Sequence, residues 1–144
     1  MYSHHTKSKG DAGLGFVIAD MLSSGVQVAL PISEHLPFDC IAVSPRGELS
    51  RVSVKYRKVD GGGVVTVPLR SVWSNSSGCH VKKYDKSEFD AVVIYCPDTG
   101  KCYYVRIGEI GDRVNLILRV TAPKQEQKTM VYARDFEGAM RLFG

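Results

Sequence analysis

Residues Phe38 to Lys58 read FDCIAVSPRGELSRVSVKYRK, two apolar runs around a proline–glycine turn, and their pairing decides how the chain is laid out. Phe38 to Ser44 has the character of a strand, Pro45 to Glu48 that of a turn, and Leu49 to Arg57 that of the returning strand. Side chains alternate along a strand, so Val52, Val54 and Tyr56 share one face and Arg51, Ser53, Lys55 and Arg57 the other. A half-buried strand with one solvated face accounts for that pattern by itself. Asp39 raises a second possibility, because an ionisable group inside an apolar run needs a partner or a metal to offset desolvation.

Whether Asp39 meets Ser53 and Lys55 depends on the turn. A four-residue loop at Pro45–Glu48 opposes Asp39 to Val54, on the wrong face. A three- or five-residue loop, or a bulge, brings it to the Ser53–Lys55 face, and this is the register expected here. An acid on one strand with a lysine on the next suits metal-assisted phosphodiester hydrolysis. A carboxylate can hold Mg²⁺, which prefers oxygen ligands, while a lysine supports developing charge at the phosphate.

The rest of the chain reads as one domain. Leu14, Val17, Ile18, Met21 and Leu22 recur at helical spacing, which predicts a helix over Lys9–Ser24 closed by Gly25, after a flexible arm at residues 1–8. Gly10, Gly13 and Gly15 weaken that helix and suit a site of close approach. Val26–Leu30 and VVTVPL, Val64 to Leu69, follow as strands, the second ended or edged by its proline. WSNSSGCH, from Trp73, reads as a loop; FDAVVIYC, PDTG and KCYYVRI as a hairpin; Leu116–Val120 as a strand; and DFEGAMRLF as a weak helix. Helix, antiparallel strands and a closing helical segment predict a mixed α/β domain.

Composition narrows the class. The 144 residues are 44% hydrophobic and 24% charged, enough for a sizeable core. No apolar run approaches the roughly 18 residues of a membrane span, and MYSHHTKSKG lacks a signal-peptide core, so a cytoplasmic protein is expected. The net charge of +4 leans toward polyanions without deciding for them. Cys40, Cys79, Cys96 and Cys102 show no zinc-type spacing and are expected to be free thiols. Cys96 and Cys102 flank a turn and are the pair closest to a bridge.

Taken together these stretches resemble a known family. KGDAG opening the first helix, GVQVALPISEHLPFD leading to the aspartate, RVSVKYR carrying the lysine, then FDAVVIYCPDTGKCYYV and LILRV are similar to the group I intron-associated homing endonucleases of the PD-(D/E)xK nuclease superfamily. The resemblance implies a restriction-endonuclease-like fold, a single-domain mixed β-sheet with flanking helices. It also implies a Mg²⁺- or Mn²⁺-dependent endonuclease acting on double-stranded DNA as a homo-oligomer, dimer or tetramer. By position it makes Asp39 the metal carboxylate, Lys55 the catalytic lysine and the Val54 main-chain carbonyl a further metal ligand.

Two positions depart from that pattern. Ser53 stands where the family has Gln or Glu, and Leu14 where its first helix has Glu. If the fold is the resembled one, both face the metal pocket, and Asp11, one turn before Leu14, is the nearest substitute carboxylate. DNA contacts are expected from Lys7, Lys9, Arg57, Lys58, Arg70, Lys82 and Lys83, with Trp73, Asn75 and Ser77 reaching base edges or capping their loop. Three functions stay open: an active endonuclease, a DNA-binding protein that keeps the nuclease fold without activity, and an interaction module with a solvated Lys55 face.

Overall fold

The computed structural model describes residues 5–83, 85–122 and 131–144, the side chains of 5–7, 70–73, 81–83 and 86 excepted. Helix α1 (His5–Ser23) leads into β1 (Gln27–Ala29), β2 (Cys40–Val43) and β3 (Leu49–Tyr56). Then come β4 (Val64–Pro68), β5 (Arg70–Asn75), β6 (Gly78–Lys83), β7 (Ala91–Cys96), β8 (Lys101–Arg106), the short α2 (Ile107–Ile110) and β9 (Asn115–Arg119). The central sheet runs β1-β2-β3-β7-β8. Its pairs are antiparallel except β3–β7, which is parallel. This is the mixed sheet of a restriction-endonuclease-like fold.

Each face of the sheet has its own core. On one, Val17 and Met21 of α1 pack with Cys40, Ala42, Val52, Val93 and Tyr104. On the other, Val92, Ile94 and Val105 meet Val65, Val67, Leu116 and Leu118 of the β4–β9 pair. The alternation along β7 therefore serves two cores at once, which is why all six of its residues are buried. Tyr104 crosses the first core and its hydroxyl donates to the Asp20 carboxylate. Burial pushes the Tyr104 phenol up, and this bond adds to the effect.

Helix α1 begins at His5, so residues 5–8 are helical and not part of an arm; residues 1–4 lie outside the described residues. Gly25, at φ 82°, ends the helix run as expected. Close approach holds at Gly13 alone among the three early glycines: a Cβ there would lie 3.3 Å from Tyr56 Cβ, while Gly10 and Gly15 meet nothing within 4 Å. The expected loop from Trp73 is instead the β5–β6 hairpin. DFEGAMRLF resolves into two 3-10 turns, Ala133–Phe136 and Ala139–Phe143, parted at Gly138 with φ 100°. No helix among the described residues is long and apolar enough to cross a membrane.

Candidate active site

The turn between β2 and β3 sets the site. Ser44 N–H donates to Glu48 O (2.9 Å) and Gly47 N–H to Ser44 O (2.9 Å), which leaves Pro45–Gly47 as a three-residue loop. Gly47 takes φ 86°, the left-handed position that closes such a hairpin. The Ser44 hydroxyl accepts from Arg46 N–H (3.2 Å) and Glu48 N–H (3.0 Å) and fixes the loop. Cys40 then pairs with Val52, and the Asp39 N–H also donates to Val52 O (2.8 Å), so two residues of this segment oppose one of β3 and the regular ladder ends at Cys40. The short loop sets the register as far as Cys40, and the break beyond it turns the Asp39 carboxylate to the edge of β3.

Peptide directions bring a second group to the same edge. Arg57 N–H donates to Tyr95 O (3.0 Å), so odd-numbered residues of β3 turn their peptide groups to β7 and even-numbered ones, Val54 included, to β2. At Val54 strand β2 has already ended, and the Asp39 carboxylate takes the N–H instead, with Oδ2 at 2.6 Å. The Val54 carbonyl points to that same side. Asp39 itself is exposed, although its neighbours in the sequence are apolar. Its charge is felt by the next residue: burial first, then Asp39, push the Cys40 thiol up to about 12.

Lys55 is half-buried and lies in register with Ile94 of β7; Ser53, buried, lies in register with Val92. Both side chains therefore share the sheet face of the β4–β9 core. Leu14 does not join them. It is half-buried and packs against the α1-side core that Val54 and Tyr56 also border, on the other side of β3 from Ser53. The expectation that Leu14 and Ser53 face one pocket is not met, because helix α1 presents its apolar stripe to Val52, Val54 and Tyr56. Asp11 is exposed on α1. Among the described residues no group of three or more His, Cys, Asp and Glu comes together to hold a metal.

A hard cation at this edge would be offered the Asp39 carboxylate and the Val54 carbonyl. Mg²⁺ takes about six oxygens and favours carboxylates among its protein ligands. Water would have to supply most of the shell, so these residues would hold Mg²⁺ only weakly.

Of the expected DNA contacts, Lys9 and Arg57 are half-buried and Lys58 is exposed. The side chains of Lys7, Arg70, Trp73, Lys82 and Lys83 lie outside the described residues. Asn75 and Ser77 are engaged with their own turn: Asn75 Oδ1 accepts from Ser77 N–H (2.9 Å) and Ser77 Oγ (2.6 Å), and lies 3.0 Å from His80 Nε2. Reading from the sequence missed Asp90. Its carboxylate accepts from Arg51 N–H (2.8 Å), Nε (3.1 Å) and Nη2 (3.1 Å) at the opposite end of β3. The signal was present in Phe89-Asp90, the same pair that introduces Asp39.

A family model for PD-(D/E)XK endonucleases matches residues 4–139. The chain belongs to that family. The structure is similar to that of a bacterial homing endonuclease, I-Ssp6803I, with a TM-score of 0.79 over 96% of this chain and 92% of that one, at 24% sequence identity. No curated protein sequence is significantly similar. Nucleases of the PD-(D/E)XK family generally use divalent metal ions.

Proposed function

We propose that this chain is a homing-type endonuclease that binds double-stranded DNA in the cytoplasm and holds its Mg²⁺ or Mn²⁺ so weakly that cleavage is slow. What supports the reading is the Asp39 carboxylate held on the Val54 N–H, beside the Val54 carbonyl and between Ser53 and Lys55 in the chain. In this reading Asp39 and Val54 are metal ligands, Lys55 supports charge at the scissile phosphate, and Ser53 supplies a hydroxyl where a longer ligand would serve better. A dimer or tetramer fits the need to cut two strands with one site per chain. Leu30, Ile32 and Leu36, exposed on the connection to Asp39, are apolar surface that such an assembly would cover.

One observation favours a second reading, a DNA-binding protein without cleavage: Leu14 sits in apolar contacts where the family has a carboxylate. A single experiment separates them. Plasmid nicking by the purified chain is followed with Mg²⁺, Mn²⁺ or chelator, beside thermal melts in the same buffers. Slow metal-dependent nicking, with a metal-induced rise in Tm that Asp39→Asn lacks, is expected. Binding without nicking in any metal selects the second reading, and equal metal shifts in both proteins remove Asp39 as a ligand.

A further inference from the structure

A cavity of about 300 Å³ opens beside β8, lined by Thr99, Lys101, Tyr103, Arg119, Arg134 and Glu137 among others. The register ties it to the Asp39–Lys55 edge. Lys55 pairs with Ile94 and Ile94 with Tyr103, so Lys55 and Tyr103 stand in one row on one face. Two strand spacings separate them, about 10 Å. Lys101 pairs with Cys96 in the next row out, which the Arg57 N–H to Tyr95 O bond extends to Arg57. A line of cations therefore runs along one end of the sheet from Lys55 and Arg57 to the cavity.

Among the described residues the cavity's charges do not cancel. Lys101 Nζ is paired with Glu137 Oε1 at 3.0 Å. Arg119 is steadied by a bond to the Gly62 carbonyl, and Arg134 by stacking its guanidinium 4.6 Å above the Tyr132 ring. Neither arginine has a carboxylate partner among the described residues. Two fixed guanidiniums without carboxylates, around a space of this size, suit an anion with several acceptor oxygens. Tyr103 and Thr99, joined by a 3.0 Å hydrogen bond, add hydroxyls to the same wall.

We propose that this cavity anchors a backbone phosphate of the bound DNA, away from the scissile one, with Arg119 and Arg134 as its ligands and Glu137 weakening the contact through Lys101. The proposal rests on the DNA-binding reading above. The test is fluorescence anisotropy of the full chain on a labelled duplex across a range of salt, comparing Arg134→Gln, Glu137→Gln and, as a charge-matched control, Arg46→Gln. Arg46 is exposed in the β2–β3 loop at the other end of β3. Losing one phosphate contact should weaken binding about three- to tenfold whatever the sequence, and lower the slope of log affinity against log salt by about 1.

Glu137→Gln should tighten binding, an opposite sign that a merely structural role does not produce. Arg134→Gln behaving like Arg46→Gln, on DNA that the parent binds, overturns the proposal and leaves the DNA reading standing. A parent that shows no salt-dependent binding overturns both. Titrating inorganic phosphate while following backbone amide shifts separates the two sources of the anion. Saturable shifts at Tyr103 and Arg134 in a protein whose DNA affinity ignores Arg134→Gln assign the cavity to free phosphate and overturn the DNA assignment.

Discussion

Two Phe-Asp pairs open the two strands that flank β3: Phe38-Asp39 before β2 and Phe89-Asp90 before β7. Each aspartate reaches across to a backbone N–H of β3, Asp39 to Val54 and Asp90 to Arg51. Because β2 runs antiparallel to β3 and β7 parallel, the two carboxylates cap opposite ends of one strand. Asp90 is then closed off by the Arg51 guanidinium. The Asp39 carboxylate has only the Val54 N–H among the described residues. The same local device is a fastening at one end and a chemically open carboxylate at the other. What differs is the Arg51 guanidinium that closes on Asp90.

The largest effect that could break this comparison is on cleavage. Lys55→Ala should lower whatever metal-dependent nicking the parent shows by at least about a hundredfold, the scale of removing one charge-stabilising group. DNA binding in a gel shift should stay near the parental level, since one half-buried lysine contributes little to docking. Equal nicking by parent and variant would take Lys55 out of the mechanism and reduce its end of β3 to a solvated face.

The next effect is on stability, and it should fall on the other aspartate. Asp90→Asn removes the charge that holds the Arg51 side chain, at a cost of about 1–2 kcal/mol, kept modest because the pair is partly exposed. Asp39→Asn keeps an acceptor for Val54 N–H and should cost less than about 1 kcal/mol. Urea denaturation of the two variants checks the order. If Asp39→Asn proves the more damaging, the assignment of fastening and open site is reversed.

Acid should tell them apart in the same direction. The hydrogen bond from the Arg51 side chain, opposed by burial and helped by its backbone N–H and charge, holds the Asp90 carboxyl below the usual carboxylate range. A carboxylate with a lowered value stabilises the fold above its unfolded value, and that stability goes as pH falls through the folded one. Wild type should therefore lose more stability than Asp90→Asn below about pH 4. Parallel pH profiles for the two proteins would mean that the Arg51–Asp90 pair contributes nothing.

Much of this arrangement was legible before any coordinates. SPRG has proline at the second and glycine at the fourth position of a tight turn, and that glycine suits the three-residue loop that sets the β2–β3 register. The β7–β8 hairpin was equally plain, since its turn is local. The parallel pairing of β3 with β7 was not, because the two strands are brought together across the β4–β6 excursion, and no nearby residue encodes their register. The β5–β6 hairpin escaped because RSVWSN and GCHVKK carry little apolar alternation, which gave no strand signal. Leu14 was assigned to the metal pocket by position in the family pattern. The rotation of α1, fixed by Val17, Met21 and the Gly13–Tyr56 contact, turns it toward apolar partners instead.

The smallest effect concerns the residue that follows Asp39. Burial changes abruptly there: Asp39 is exposed and Cys40 is at 0%. Cys96 and Cys102 are buried as well, and the register pairs Cys96 with Lys101 and Cys102 with Tyr95, so the two thiols lie on opposite faces of the β7–β8 hairpin. They are poorly placed for a disulfide, and all four cysteines are free. Thiol titration of denatured, unreduced protein should count four. In the native protein only the exposed Cys79 should react fast, because burial, with Asp20 adding to it, pushes Cys102 up to about 12, as burial and Asp39 do for Cys40. A second fast thiol at Cys40 would mean that β2 frays from β3 in solution. The backbone edge holding Asp39 would then be mobile where Asp90 is fixed, and the open carboxylate would owe its exposure to loose pairing.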